Sequence, residues 1–120
     1  MRADPELIRN LVGMTREEAV AAIMAGPTST ARATPAEKSE ETVTWWLRQI
    51  GAPESGLHER MSFFWHTLIP THRYSVNHQQ LVATQLNMIR DNALGGYRNL
   101  LQGFVVDGAT SFALAVQWHP

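Results

Sequence analysis

The chain of 120 residues has no cysteine. Disulfides, thiolate metal ligands and a cysteine nucleophile are excluded by that absence. Lysine occurs once, at Lys38, and the other nine basic residues are scattered arginines. Against eleven acids they leave a formal net charge of −1 and a pI near 6.5. No basic face therefore points to nucleic acid. No stretch approaches the roughly 20 apolar residues of a membrane span. The opening MRADPELIRNLVG lacks the apolar run of a secretory signal, so the default compartment is the cytoplasm. The serines offer no G-x-S-x-G nucleophile elbow. Gly95-Gly96 has neither a preceding strand nor a following Lys-Ser/Thr, so it is no phosphate loop. No residue pattern implies a cofactor.

What is present fits a globular chain: 44% hydrophobic, 18% charged, and enough length for one modest core. The periodicity is helical. Asp4-Pro5 opens a helix that stops near Gly13, with Pro at its first position. Thr15-Arg16-Glu17-Glu18 is a capping box for a second helix, ended by Gly26-Pro27. Residues 26–36, GPTSTARATPA, read as a flexible linker, because small polar residues with two prolines build no buried face. Thr34 to Glu37 has the form of a second capping box. In the helix that follows, Val43, Trp46, Leu47 and Ile50 form one stripe. A helix over about 56–68 aligns Leu57, Met61, Phe64, Trp65 and Leu68. A longer one over about 77–92 aligns Val82, Leu86 and Ile89. The Gly pair suits a left-handed helix end, after which Tyr97, Leu100, Leu101, Phe104 and Val105 resume the stripe. Residues 109–117 fit either a last helix or a strand. The expected fold is all-α, an irregular orthogonal bundle of five or six short helices in a single domain.

One ordered set of residues is more specific than periodicity. It comprises Arg60-Met61, Phe64-Trp65-His66, Gln85, Arg90, Ala93-Leu94-Gly95, Tyr97-Arg98, Leu100-Leu101, and Asp107 with Ala109. The set resembles the large bacterial family known as domain of unknown function 1800. The strong part of the resemblance covers about half of the chain. The second helix and the Trp45-Trp46 helix resemble the family more weakly. Three departures stand out. Leu68 occupies the place of a second family histidine. The Asp-Pro-Ala-Met-like segment reads Asp107-Gly108-Ala109-Thr110. The family's later Asn-Glu-Asn-like motif does not follow before Pro120. The resemblance thus implies an N-terminal portion or a short relative of a longer family protein. It also implies a protein partner, because family members are often encoded beside another exported protein.

His66 and Arg90 are the candidate catalytic residues. His66 is read as a proton shuttle or general acid/base, or more plainly as a helix histidine packed on Trp65. Arg90 is read as a bidentate anchor for a carboxylate or phosphate, or as the partner of a structural acid such as Asp91 or Asp107. Gln85 and Arg90 lie about 140° apart around a helix and cannot share one small ligand. The histidines form no metal box: His58 and His66 stand about 12 Å apart along a helix, too far for ligands that must each come within about 2 Å of a metal. Of the four tryptophans, Trp45 lies off its stripe and is expected to be partly exposed. The leading functional expectation is a structural or protein-interaction segment that docks a partner or itself. The alternative is a hydrolase-like enzyme using His66 and Arg90.

Overall fold

The computed structural model describes residues 5–25, 32–35, 37–52, 56–68, 78–111 and 114. It is all-α. Six helices follow one another: α1 (Pro5–Val12), α2 (Arg16–Met24), α3 (Ser39–Gly51), α4 (Gly56–Leu68), α5 (Gln79–Asn92) and α6 (Tyr97–Val106). Residues 108–111 are also helical, and no strand occurs among the described residues. The helical alternative for 109–117 is therefore the one adopted over the described part of that stretch.

Local chemistry accounts for several boundaries. The Thr15 hydroxyl accepts the Glu18 N–H at 3.3 Å, and the Glu18 carboxylate accepts the Thr15 N–H at 3.1 Å. That reciprocal pair satisfies two of the orphan donors at the start of α2. Gly56, which opens α4, is the one described residue with positive φ, at 51°, where a side chain would be strained.

Two local expectations fail. The second capping box does not form: α3 starts later, behind Lys38, with no side-chain cap. Tertiary contacts hold the preceding residues elsewhere. The Ala33 N–H donates to Asn87 Oδ1, and Asn87 Nδ2 donates to the Ala33 carbonyl, both at 2.8 Å. Arg32 pairs with Asp91, one turn further along α5. Most of the 26–36 linker lies outside the described residues, but its described part, Arg32–Pro35, runs along α5 with Ala33 buried. Nor does the Gly95-Gly96 pair use a left-handed conformation. Ala93 ends α5 in the right-handed helical region, and Gly96 is extended.

The α5 helix is the hub, and among the described residues its contacts with α6 and α4 are the most extensive. One apolar cluster joins Ala33, Trp46, Ala83 and Leu86, with Trp45 and Ile50 packed against it. Another joins Ile89, Leu100 and Phe104, backed by Trp65 and Met88. The expected stripes are only partly buried. On α3, Trp46 is inside, while Val43 and Leu47 face solvent. On α4 the buried residues are His58, Glu59 and Ser62, with Phe64 and Leu68 exposed. No residue of α1 or α2 is buried.

Candidate functional site

The α4 helix presents two edges on which polar and aromatic residues alternate. Positions 58, 62 and 65 recur one and two turns apart, and His58 and Trp65 bond to carbonyls at the end of α5. Positions 59, 63 and 66 recur the same way and meet Trp46 of α3. Glu59 is 1% exposed and Arg90 3%. Arg90 donates from Nε at 3.0 Å and from Nη2 at 2.5 Å to the same Glu59 oxygen, Oε1. The other carboxylate oxygen accepts the Trp46 indole N–H at 3.3 Å. The Arg90 guanidinium also lies 5.2 Å from the Trp45 ring centre, within cation–π range. A carboxylate and a guanidinium are tolerated at this depth because each is paired and hydrogen-bonded.

Sequence reasoning named Asp91 and Asp107 as acids for Arg90. The structure uses Glu59 instead, since Asp91 is taken by Arg32 and Asp107 by Gln85. The signal that could have found Glu59 is its place immediately before the Arg60–His66 motif segment. On α4 it lies one and two turns from Phe63 and His66, whose rings both meet Trp46.

The same α4 side chains finish α5. A helix end leaves its last carbonyls without intrahelical donors. His58 Nε2 donates to the Arg90 carbonyl at 2.6 Å, and Trp65 Nε1 donates to the Ala93 carbonyl at 3.0 Å. Because a carbonyl only accepts, His58 donates its bond from Nε2. Its other nitrogen, Nδ1, is buried without a hydrogen bond and lies 3.7 Å from Glu59 Oε1. Ser62 is fully buried and donates to the His58 carbonyl at 2.9 Å.

Gln85 points the other way, as its angular offset from Arg90 requires. Its amide donates to Asp107 Oδ2 at 2.8 Å and to Thr110 Oγ1 at 2.9 Å. Asp107 Oδ2 also accepts from the Thr110 backbone and hydroxyl, each at 2.8 Å. Asp107 is thus the N-cap of the helical turn at 108–111, tied to α5 by Gln85.

His66 sits beside this network. Its ring meets Trp46 edge-on, with centres 4.9 Å apart, rather than packing on Trp65. Trp65 packs instead with Phe64 and Tyr97. Burial pushes the His66 imidazole below its ordinary pKa of 6.5, because a low-dielectric surrounding disfavours the charged ring. His66 and Arg90 are linked through intermediaries: His66 touches Trp46, Trp46 donates to Glu59, and Glu59 holds Arg90.

A cavity of about 330 Å³ adjoins the network, lined by Met24, Arg32, His58, Arg90, Asp91, Leu94 and Gly95. Both of its arginines are committed to carboxylates. Among the described residues no three His, Asp or Glu side chains stand close enough to hold a metal ion.

These features define an all-α domain in which the distinctive polar residues bond chiefly to one another and to helix ends. The family model for the protein of unknown function DUF1800 matches residues 2–110. With nearly its whole length covered, this chain belongs to the DUF1800 family. No curated protein and no solved structure matches it.

Proposed function

We propose that this domain is a structural and protein-docking segment of a longer protein, not a catalytic unit. One contrast carries the reading. Glu59 and the motif residues Trp65, Gln85, Arg90 and Asp107 are spent on internal ties, while large apolar side chains stand outside. On α6, Tyr97, Leu101 and Val105 recur one turn apart and are 59%, 42% and 76% exposed. They line a shallow depression with Arg98 and Gln102. Ile8 and Val12 on α1 are likewise exposed, Val12 by 79%. Contiguous apolar surface of this kind marks an interaction site.

Sedimentation velocity over a concentration series tests the proposal. The chain should associate with rising concentration. Leu101→Glu with Val105→Glu should shift it toward monomer and change folding stability by no more than about 0.5 kcal/mol, since both positions face solvent. A monodisperse monomer at every concentration, unfolding in one cooperative transition, would overturn it.

The enzymatic alternative keeps one supporting observation: burial holds His66 in its neutral form, as a general base requires. Against it stands Arg90. A substrate anion would have to displace a buried carboxylate that accepts two hydrogen bonds from that guanidinium.

A further inference from the structure

The two sides of α6 meet different fates. Leu100 and Phe104 are buried against Ile89 of α5. On the outer side Tyr97, Leu101 and Val105 share one shallow depression with Arg98 and Gln102, and all five are exposed. The aromatic end of this face continues onto α4. The Tyr97 ring lies 5.7 Å from Trp65, and the Trp65 ring lies 5.0 Å from that of Phe64, which is itself exposed. The outer face therefore runs from aromatic at its N-terminal end to aliphatic at its C-terminal end, with Leu101 between.

Charge and spacing both bear on what covers it. The α6 sequence, YRNLLQGFVV, has no acid and one base, Arg98. A partner steered by charge meets complementary charges across its interface, and one isolated cation offers little of that. An interface centre poor in charge is what copies of one chain share when they pair. The spacing is symmetric as well. Tyr97 and Val105 each stand one turn from Leu101, about 6 Å along the axis. A two-fold axis through Leu101 sets each Tyr97 beside Val105 of the second copy, a large ring against a small side chain. It also holds the two Arg98 side chains about 9 Å apart along the axis and opposes the two helix dipoles. A parallel pair would instead bring Arg98 to Arg98 and Tyr97 to Tyr97, and would align the dipoles.

We infer that the outer face of α6 is the seam of a symmetric dimer, in which α6 packs antiparallel on α6 of a second copy with Leu101 at the two-fold axis. The inference rests on the docking reading above and names the partner. One face of a ten-residue helix is small beside the roughly 20–30 residues a side of a standard interface. The dimer is therefore transient and grows with concentration.

Disulfide trapping tests the geometry, and the absence of cysteine makes every introduced thiol unique. Leu101→Cys, Tyr97→Cys, Val105→Cys and the control Asn99→Cys are oxidised in the whole chain, singly and in mixtures. Asn99 is exposed and lies outside the depression, so its linkage rate measures random collision. Leu101→Cys should link to itself about tenfold faster than the control, through the raised effective concentration within the pair. Tyr97→Cys and Val105→Cys should each link to themselves no faster than the control. Their twins stand about 12 Å apart along the axis, beyond the reach of about 7 Å between disulfide Cα atoms. A mixture of those two variants should link to each other at the Leu101→Cys rate. Self-linkage of Tyr97→Cys as fast as that of Leu101→Cys would overturn the antiparallel seam, as would a Leu101→Cys chain that links no faster than the control. Sedimentation velocity of the wild type then separates the two failures. A chain that still associates keeps the docking reading and loses this dimer, whereas a chain that stays monomeric loses both.

Discussion

The two seams along α5 are built from different materials. Toward α6 the contact is aliphatic and aromatic: Ile89, Leu100 and Phe104 are buried together, with Met88 against them. Gly103 allows close approach there, since a Cβ at that position would stand 2.6 Å from Met88 Sδ. Toward α4 the contact is polar. His58, Glu59, Ser62 and Arg90 are buried and held by hydrogen bonds to one another and to helix carbonyls. The aliphatic seam tolerates exchange of similar volumes. The polar seam is stricter, because removing one partner strands the other in a medium that cannot solvate it.

The sharpest way to break this comparison is Glu59→Ala. It leaves the Arg90 charge buried and should cost about 3–5 kcal/mol in urea unfolding. The double change Glu59→Leu with Arg90→Met replaces the pair by apolar side chains of similar reach and should recover much of that loss. If the double variant is no more stable than the single one, the seam is not limited by the stranded charge. On the other side, Leu100→Ala should cost about 2–5 kcal/mol, with the value set by how far α6 collapses into the gap. A loss below 1 kcal/mol would show that the Ile89–Leu100–Phe104 cluster is looser than its burial indicates.

The smallest effect lies beside the polar seam. His66→Ala should cost about 1–2 kcal/mol through lost packing on Trp46. Its pH dependence has a definite sign. The folded protein holds the imidazole neutral to a lower pH than the unfolded chain does. The unfolded state therefore binds more protons between the folded value and 6.5. His66 contributes its full stability above pH 6.5, and that contribution falls as pH drops through the folded value. Urea unfolding of wild type and His66→Phe from pH 8 to 5 isolates the contribution. The wild type should lose stability relative to the variant as the pH falls, and parallel curves would show that the ring is solvated in the folded state.

The aliphatic seam was legible in the sequence and the polar one was not. Ile89, Leu100 and Phe104 fall on the helical stripes of α5 and α6, and all three are buried. On α4 the same reading chose Phe64 and Leu68, which are exposed at 48% and 57%, and passed over Glu59 and Ser62, which are inside. Hydropathy ranks a side chain by the cost of burying it alone, whereas Glu59 is buried in company. Arg90 and the Trp46 N–H come from other helices, and nothing along the chain announces that they converge. Trp65 and Gln85 stood out by resemblance, but their tasks, closing the end of α5 and tying down Asp107, depend on the angle at which neighbouring helices cross.

The capping chemistry divides the same way. Thr15 and Glu18 form their box because both partners lie within one turn, and nothing distant competes. The similar signal at Thr34 fails because Asn87 and Asp91, far along the chain, hold that stretch against α5.

By itself the sequence determined the helices: their approximate limits and the aliphatic residues that join α5 to α6. These follow from short-range spacing, backbone preference and the bulk of apolar side chains. The tertiary structure alone decided which charges go inside, which apolar faces stay outside and what His66 touches. A buried ion pair or an uncovered stripe is a relation between helices, and its energy depends on the dielectric and the partners that only the assembled fold supplies.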